Sequence, residues 1–327
     1  MKKRFLTTLV TGILAAGLLA GCSSASATSS DPAVQTDAEA SSEQAVSETA
    51  SGAAASEESK AEGSASDDGS EAGSEAEIPS PEGSDTTITI GATPVPHAQI
   101  LNDVVKPLLE AKGWKLDVVE FNDYIQPNTA LEDGELDANY FETTKYLNEE
   151  NERRNLHLVS VAEIHLEPMG LYSKTAKSLD ELKDGATIGV PNDGSNESRA
   201  LRLLADNGLI KVDESKDILT KADVTENPKN YELSEVEAAS LPRMLDDMDA
   251  AVINGNYAIE AGFNPAKDAL IAEKTDTESS KQYFNNLVVK EGSEQSVKTL
   301  ALKAALTSPE VKKYIEDTYQ GSVIPAF

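Results

Sequence analysis

Strand-like and helix-like segments alternate along residues 86–327, and this alternation constrains the fold more than any other feature of the sequence. Residues 87–90 alternate polar and apolar side chains, which predicts a strand. From His97 onward apolar residues recur at helical spacing, which predicts a helix that Pro107 should kink. The order of strand and helix restarts with a predicted strand over 186–190. Such alternation is typical of α/β proteins, in which parallel strands carry helices on both faces of a sheet.

Two alternating runs follow one another, and the C-terminal segment is expected to return to the first run. We therefore expect two lobes joined by crossover strands, each with a mixed sheet flanked by helices. The first lobe is predicted to combine residues 86–166 with residues 272–327, and the second lobe to comprise residues 167–271. Ligands of such folds collect at the carboxyl ends of strands and between lobes. The expected binding site is therefore the cleft between the lobes.

The N-terminal segment has the features of a targeting sequence. Basic residues occupy positions 2–4, and residues 5–20 form an apolar run that is too short to span a bilayer. The run ends in Leu-Ala-Gly-Cys22, which resembles the lipobox of bacterial lipoproteins, in which the cysteine is acylated and becomes the mature N-terminus. We expect residues 1–22 to be a signal peptide and Cys22 to carry a lipid anchor; the alternative is an ordinary secretory signal with an incidental cysteine. Because Cys22 is the only cysteine, the mature domain has no internal disulfide and no catalytic thiol.

Residues 23–85 consist almost entirely of Ser, Ala, Gly, Glu and Asp. The segment has no aromatic residue, and its only large aliphatic side chains are Val34, Val46 and Ile78. It cannot bury enough apolar surface to offset the entropy lost on ordering, so it is predicted to be disordered. Its 15 acidic residues against one lysine give a net charge of −14, which favours an extended tether. An acidic interaction tail is the alternative.

The composition of the folded body limits its partners and its chemistry. The whole chain has a formal net charge of −29, of which −18 falls on residues 86–327. Nucleic acids require basic faces, so we expect no nucleic-acid partner. The sequence has no Gly-x-Ser-x-Gly elbow and no phosphate-binding glycine loop, so no catalytic residue is predicted. His157 and His165 are too far apart along an extended segment to share a metal ion without a fold-back, so no metal site or cofactor is predicted either.

Six motifs of the body resemble those of the NlpA/MetQ family of methionine-binding lipoproteins. In chain order they are PHAQIL (96–101), VVEFNDYIQPN (118–128), GELDANYF (134–141), HLEPMGLYS (165–173), ENPKN (226–230) and AVINGNYA (251–258). The resemblance covers the chain from about residue 86 to Phe327. Several long motifs in a fixed order make this resemblance far more specific than a short fingerprint.

The resemblance implies a type II periplasmic-binding-protein fold, in which two lobes close around a ligand in the cleft between them. It implies binding of L-methionine or a closely related amino acid, and delivery of that ligand to the permease of an ABC importer. The protein is then expected to be a monomer without a cofactor, held by its lipid anchor at the extracytoplasmic face of the cell membrane. The alternatives are a binding protein for another small solute (a different amino acid, a short peptide or a metal) and a surface adhesin.

Arg199 is the leading candidate for ligand binding. It lies in the first turn of a predicted helix that follows the sequence PNDGSN at residues 191–196. A guanidinium group in this position is able to hold a carboxylate with two parallel hydrogen bonds, and the helix N-terminus adds unpaired N–H donors. The alternative is a surface arginine that pairs with Glu197 or Asp206. Together with the resemblance, the position predicts that Arg199 binds the carboxylate of an amino acid.

Further positions match binding residues of the family. Asn254 follows a predicted strand and Asn285 precedes one, and their amides both donate and accept hydrogen bonds, which suits the zwitterionic head of an amino acid. Tyr124 and Phe141 match aromatic residues that line the side-chain pocket in relatives. Turn formation for the asparagines and core packing for Phe141 are the alternatives. His97 matches a first-loop motif and is expected either to cap the following helix or to contact the ligand.

One motif departs from the family pattern. Relatives usually have Phe-Gln-His where this chain has Phe141-Glu142-Thr143. Thr143 is expected to form a smaller and differently polar wall of the pocket than histidine, and Glu142 is expected to add a negative charge. Methionine remains the leading ligand, and a larger, more polar or dipeptide-like solute is the alternative.

Overall fold

The structure of the protein is a computed structural model that describes residues 77–327. The predicted signal peptide, the predicted lipidation site Cys22 and most of the predicted linker lie outside these residues. Within residues 77–327, no helix combines the length and the apolar character needed to cross a bilayer. These residues form two mixed sheets with helices packed around them, and a short two-stranded ribbon.

Strands and helices alternate along the described residues. The strands are β1 (Thr87–Ala92), β2 (Lys115–Glu120), β3 (Ala138–Thr143), β4 (Leu158–Leu166), β5 (Gly170–Tyr172), β6 (Thr187–Pro191), β7 (Lys211–Val212), β8 (Val224–Glu226), β9 (Glu232–Val236), β10 (Ala250–Ile253), β11 (Ile271–Ala272), β12 (Phe284–Lys290) and β13 (Ile324–Pro325). The α-helices are α1 (Lys106–Glu110), α2 (Gln126–Glu132), α3 (Thr144–Arg154), α4 (Gly194–Asp206), α5 (Leu241–Met244), α6 (Gly255–Glu260), α7 (Pro265–Asp268), α8 (Val297–Leu306) and α9 (Pro309–Tyr319).

The two large sheets have different strand orders. The first sheet has the order β13-β4-β12-β3-β1-β2, with β1 parallel to β2 and β3, and with β12 antiparallel to both of its neighbours. The second sheet has the order β11-β5-β10-β6-β9, with β6 parallel to both of its neighbours and β5 antiparallel to both of its own. Antiparallel strands therefore join each sheet beside its parallel part, and the predicted α/β fold with two lobes and mixed sheets is confirmed.

The chain passes between the sheets twice. Residues 167–169 connect β4 to β5, and residues 273–283 connect β11 to β12. Ala272, which we expected in the first lobe, pairs with Gly170 in the second sheet. The second crossover therefore starts one residue later than expected.

Each sheet is packed by its own apolar core. In the first sheet Ile90 and Leu287 are fully buried with Leu302 of α8. In the second sheet Val252 is buried against Leu204 of α4. Burying one such side chain contributes about 1.5–3 kcal/mol to the free energy of folding. Each sheet is therefore stabilised by its own core, and the two sheets form separate packed layers. The polar residues at the strand ends are thereby presented where the layers meet.

The helical segment after β1 is wider than a regular α-helix. Leu101–Val105 forms a π-type turn and regular helix begins at Lys106, whereas the chain is kinked within Pro94–Ala98, where Val95 has an extended conformation. Pro107 then lies in the first turn of α1, where its missing N–H is tolerated. The predicted kink within one continuous helix is replaced by a change of helix type just before the proline.

Residues 77–85 pack against the first sheet, although all of residues 23–85 were expected to be disordered. Ile78 contacts the first core, and Trp114 donates its indole N–H to the carbonyl oxygen of Pro79 at 2.7 Å. Asp85 forms an ion pair with Lys298, with 2.9 Å between Oδ2 and Nζ. The expectation of disorder was wrong for these nine residues. The average composition of the segment gave no sign that the side chain of Ile78 and the carbonyl group of Pro79 contact the folded body. The folded body begins before residue 86.

Candidate functional site

A small cavity of about 20 Å³ lies between the two sheets, where the end of β3 faces α4 and the end of β10. All six residues predicted to bind a ligand line it: Tyr124, Phe141, Thr143, Arg199, Asn254 and Asn285. The sequence analysis did not assign a binding role to the other six lining residues, which are Glu142, Tyr146, Glu167, Asn196, Gly255 and Asn256. Residues distant in the sequence therefore meet at one cleft, and both sheets contribute to its walls.

Arg199 is buried, but its guanidinium group is already paired along one edge. Nε donates to Oε1 of Glu273 at 2.7 Å, and Nη2 donates to Oε2 of Glu273 at 2.5 Å. Nη2 also donates to the backbone carbonyl of Glu167 at 2.9 Å, and the ring of Tyr283 lies 4.2 Å from Cζ. Burial alone would lower the pKa of Arg199, but the adjacent Glu273 carboxylate holds this pKa above its usual value. The expected bidentate grip on a ligand carboxylate is therefore corrected: within residues 77–327 only Nη1 has no hydrogen bond.

The N-terminus of α4 is also occupied by protein groups. Asp193 caps the helix, and its Oδ1 accepts from the backbone N–H of Asn196 at 2.9 Å. The carboxyl group of Glu149 lies against Gly194 in the same turn. Burial raises the pKa of Asp193 to about 6, although hydrogen bonds from Asn196 act in the opposite direction. Two carboxyl groups of the protein therefore already lie at the helix N-terminus that was expected to face a ligand carboxylate.

Two buried amides at the end of β10 have unused hydrogen-bonding atoms of opposite kinds. Asn254 donates from Nδ2 to Asn196 at 2.8 Å, and its Oδ1 has no partner among the described residues. Asn256 accepts the hydroxyl of Tyr124 on Oδ1 at 2.6 Å, and its Nδ2 has no partner there either. Buried polar atoms are almost always hydrogen-bonded, so an orphaned acceptor and an orphaned donor beside one cavity indicate a polar ligand. The sequence analysis missed Asn256, although its spacing from Asn254 across a turn of α6 was a readable signal.

Aromatic side chains form the opposite part of the cavity wall. The ring of Tyr124 lies 5.9 Å from that of Phe141 and 5.7 Å from that of Tyr146 between centroids. Tyr257 of α6 stacks on Tyr124 at 4.9 Å. Phe141 is buried at the cavity and in contact with other rings, so the predicted aromatic wall and core packing apply to the same side chain. Tyr146 extends the predicted wall.

The two residues that depart from the family pattern behave differently from each other. Thr143 is the N-cap of α3 and accepts the backbone N–H of Tyr146 at 3.2 Å, so its hydroxyl oxygen is partly engaged at the cavity wall. Glu142 is buried, and Asn128 donates to its Oε2 at 2.9 Å. Burial raises the pKa of Glu142 to about 8, so the carboxyl is mostly protonated at neutral pH. The negative charge expected from Glu142 is therefore corrected to a largely neutral acid.

His97 and His165 meet behind the cavity at Glu167. His97 places Nε2 3.0 Å from Oδ1 of Asn285 and 3.3 Å from Oε1 of Glu167. His165 places Nε2 2.7 Å from the same Oε1 atom. Burial lowers the pKa of His97 to about 4 and that of His165 to about 3, so both imidazoles are neutral. His97 therefore supports the cavity residue Asn285 and is not among the residues that line the cavity.

His157 directly precedes β4, whereas His165 lies near the end of that strand. His157 is bound to Glu132 at 3.1 Å, away from the cavity, and does not join the pair formed by His97 and His165. The sequence analysis overlooked the pairing with His97 because the two residues are far apart along the chain and meet only across strands of the first sheet.

A second, larger hollow of about 180 Å³ is also lined by Arg199 and lies beside the crossover segment 273–283. Its walls include Arg202, Tyr283 and Lys274. None of its lining residues carries a buried polar atom that lacks a partner within the described part of the chain. Size alone does not make it a ligand site, and the smaller cavity has the chemistry of one.

Comparisons with known proteins agree with this geometry. Residues 88–327 match the family model described as NlpA lipoprotein. The methionine-binding lipoprotein MetQ of Bacillus subtilis is 41% identical to this chain over 249 residues, which are 75% of this chain and 89% of MetQ.

Two solved structures extend the comparison. A lipoprotein from Ruminococcus gnavus has a TM-score of 0.72 and 49% identity, and the match covers 73% of this chain and 99% of that one. A nutrient-binding protein from Burkholderia cenocepacia, solved with methionine bound, has a TM-score of 0.69 and 41% identity over 73% of this chain and 100% of its own. Because the family model spans nearly all the described residues and the relatives match over almost their full length, the chain belongs to the NlpA lipoprotein family.

Proposed function

We propose that this protein binds methionine or a closely related amino acid in the cavity between its sheets and delivers it to the permease of an ABC importer. The observation that carries the proposal is the pair of orphaned amide atoms, Oδ1 of Asn254 and Nδ2 of Asn256, at a cavity that Arg199 also lines. An α-amino acid presents one carboxylate and one ammonium group close together. This set of donors and acceptor is complementary to those two groups.

The carboxylate is assigned to the donors. Nη1 of Arg199 supplies the charged hydrogen bond, and Nδ2 of Asn256 supplies a neutral one. Glu273 holds the guanidinium from behind through two hydrogen bonds, so the group is oriented before the ligand arrives. A pre-oriented donor loses less conformational freedom on binding.

The ammonium group is assigned to Oδ1 of Asn254. Asn285 is assigned to the same head group: its Oδ1 is held by His97, which leaves its Nδ2 group to the cavity. An amino acid that lacks either charge would leave some of these buried atoms unpaired, and each unpaired buried group costs about 1–3 kcal/mol.

The side chain of the ligand is assigned to the aromatic wall of Tyr124, Phe141 and Tyr146, with Thr143 at its edge. A thioether packs favourably against aromatic rings, which suits methionine. The relatives support the same ligand, since MetQ of Bacillus subtilis is named as methionine-binding and the Burkholderia cenocepacia protein was solved with methionine. Because Thr143 stands where relatives usually have histidine, another neutral amino acid is the alternative ligand.

Lobe closure would couple binding to transport. We assign residues 86–166 and 273–327 to one lobe and residues 167–272 to the other, following the strands of the two sheets. A ligand that contacts both lobes stabilises the closed form by its differential affinity for that form. The closed pair of lobes then presents the surface that the permease recognises.

The cellular setting follows from the N-terminal sequence. We propose that Cys22 is acylated and holds a monomeric protein at the extracytoplasmic face of the membrane, with the acidic segment after Cys22 as the tether. The proposal assigns no catalytic step to the protein.

Isothermal titration calorimetry of the full chain in detergent, with each free amino acid in turn, tests the function. We expect micromolar or tighter binding of methionine, and much weaker binding of N-acetylmethionine, which lacks the ammonium charge. The same titrations with a chelator present separate amino-acid binding from a metal response. Wild-type protein that binds no amino acid would contradict the proposal, whereas tight binding of a different amino acid would replace only the identity of the ligand.

A further inference from the structure

Three buried side chains behind the cavity converge on one point. His97, His165 and Glu167 each offer one potential metal-ligand atom, and these atoms all lie within 4.8 Å of one another. Both Nε2 atoms approach the same carboxylate oxygen of Glu167, at 3.3 Å from His97 and 2.7 Å from His165. The amide oxygen of Asn285 is 3.0 Å from Nε2 of His97 and adds a fourth possible ligand atom.

These spacings suit a small divalent ion. Zinc holds nitrogen and oxygen ligands at about 2.0–2.2 Å in a tetrahedron, which places neighbouring ligand atoms roughly 3.3 Å apart. The distances from Nε2 of His97 to Glu167 and to Asn285 are already near this value, and the contact from His165 to Glu167 would have to lengthen. Since the ligand atoms of the two histidines and Glu167 all lie within 4.8 Å of one another, shifts of these side chains would close the shell around an ion.

Both imidazoles are oriented through their other ring nitrogen. Nδ1 of His97 is 2.8 Å from Oγ1 of Thr93, and Nδ1 of His165 is 2.5 Å from the hydroxyl of Tyr140. Histidines that bind metals almost always have such a partner on the nitrogen that faces away from the ion. On metal binding the imidazole protons would lie on Nδ1 and be donated to the oxygens of Thr93 and Tyr140.

The surroundings of Glu167 leave the position of a cationic partner open. The side chain is buried, and within residues 77–327 no lysine or arginine forms an ion pair with its carboxylate. The charge of Arg199, which is bonded to the backbone oxygen of Glu167, is engaged by the carboxylate of Glu273. An ionised carboxylate at a buried position is costly unless it is paired or coordinates a metal, so a bound divalent cation would stabilise the ionised form of Glu167.

We propose that His97, His165 and Glu167 form a binding site for a divalent transition-metal ion of the zinc class, with Asn285 at the fourth position. Two imidazole nitrogens select against magnesium and calcium, which prefer oxygen ligands. Glu167 and Asn285 also line the cavity, so the ion would enter from the cleft when the lobes are apart. This site goes beyond the proposed amino-acid transport and does not depend on it.

Zinc titration of the chelator-treated full chain by calorimetry, without amino acid, tests the site. The expected result is one zinc ion bound per chain with micromolar or tighter affinity. The double variant His97→Ala/His165→Ala is expected to bind at least about 100-fold more weakly. The matched control is His157→Ala, which removes the histidine outside the cluster and should bind zinc like the wild type. Weak sites on the acidic N-terminal segment would be the same in all three proteins.

A second variant covers the case in which the double variant does not fold. Tyr140→Phe removes only the hydroxyl that faces Nδ1 of His165, and we expect it to weaken zinc binding by about 10–100-fold. Wild-type protein that binds no zinc at this affinity, or zinc binding that survives both cluster variants, would overturn the site. If zinc does not bind and Glu167→Gln loses amino-acid affinity, the carboxylate serves the ammonium of the ligand, and the metal proposal is again overturned.

Discussion

Arg199 and Glu273 are joined by two parallel hydrogen bonds of 2.7 and 2.5 Å at the second crossover between the sheets. Arg199 belongs to α4, and Glu273 immediately follows β11. Glu273 also accepts the backbone N–H of Met169 from the first crossover at 2.8 Å. The pair therefore ties both crossovers to the helix that lines the cavity, and Arg199 has a structural role in addition to its proposed contact with a ligand.

Replacing Arg199 with alanine should lower both stability and affinity. The change leaves Glu273 largely buried without its cation, which we expect to cost roughly 3 kcal/mol of the free energy of unfolding. Loss of the charged donor Nη1 should weaken amino-acid binding by at least about 10-fold. Chemical denaturation and calorimetry measure the two effects.

Arg202→Ala is the control, because the Arg202 side chain bonds only to the backbone carbonyls of Lys216 and Asp217. This variant should change neither stability nor affinity appreciably. An Arg199→Ala protein with wild-type affinity would remove Arg199 from the binding site.

Asn256→Asp tests the orphaned donor directly. The aspartate retains an oxygen for the hydroxyl of Tyr124 but replaces the free NH₂ group with an acceptor that repels a carboxylate. We expect methionine affinity to fall by roughly 100-fold, equivalent to about 2–3 kcal/mol, and the melting temperature to fall as well, because the new carboxyl group is buried. Asn264→Asp, at the half-buried N-cap of α7 and outside the cavity, is the matched control and should bind normally. Unchanged affinity in Asn256→Asp would show that the carboxylate of the ligand lies elsewhere.

Glu142→Gln should remove a pH-dependent loss of stability. The pKa of Glu142 is about 8 in the folded protein, because burial disfavours the charged form, whereas its ordinary value is 4.5. The folded state therefore binds more protons between these values, and the stability of the wild type falls as the pH rises through this window.

Glutamine does not titrate, so the variant does not lose this stability as the pH rises. The difference in the free energy of unfolding, variant minus wild type, should therefore increase by on the order of 2–3 kcal/mol from pH 4.5 to pH 7.5. Urea denaturation of both proteins across this range measures the difference, and Glu120→Gln on the exposed end of β2 provides the control. Parallel stability curves for Glu142→Gln and the wild type would indicate that the carboxyl group is ionised at neutral pH in the folded protein.

The start of the folded body should be measurable by truncation. A chain that begins at residue 86 lacks the contact of Ile78 with the first core and the carbonyl of Pro79 that accepts the indole N–H of Trp114. We expect it to melt several degrees below a chain that begins at residue 77, because a lost apolar contact and a lost hydrogen bond together cost about 2 kcal/mol. Differential scanning calorimetry of the two proteins is the measurement. Equal melting temperatures would place the boundary after residue 85, as the composition suggested.

Several features of the site were predictable because their signals are local. The turn after β10 and the motif around Arg199 are continuous stretches of sequence, and the resemblance to the family assigned a chemical role to each. These local signals were enough to select six residues that all line one cavity. Asn256 was missed although it lies two residues after Asn254, because an asparagine in the first turn of a helix usually serves a structural role.

The roles of Glu273, Glu167 and the two histidines were not predictable in the same way. Glu273 is 74 residues from Arg199 along the chain, and no pattern in either segment indicates the pairing. His97 and His165 belong to segments separated by two strands, and their meeting depends on strand order in the first sheet. The charge state of Glu142 could not be read from the sequence either, because it depends on complete burial and not on the residue type.

The sequence by itself determined the two-lobe α/β architecture, the compositional break before the body and the position of the cleft residues, because hydrophobic periodicity and contiguous motifs act over short distances along the chain. Only the tertiary structure decided which charges are free. In the folded protein one edge of Arg199 is paired with Glu273, and carboxyl groups lie at the N-terminus of α4. Glu142 is mostly protonated, and Glu167 lies between two histidines. Electrostatic pairing and burial depend on distances between segments that are remote in sequence, and folding alone sets those distances.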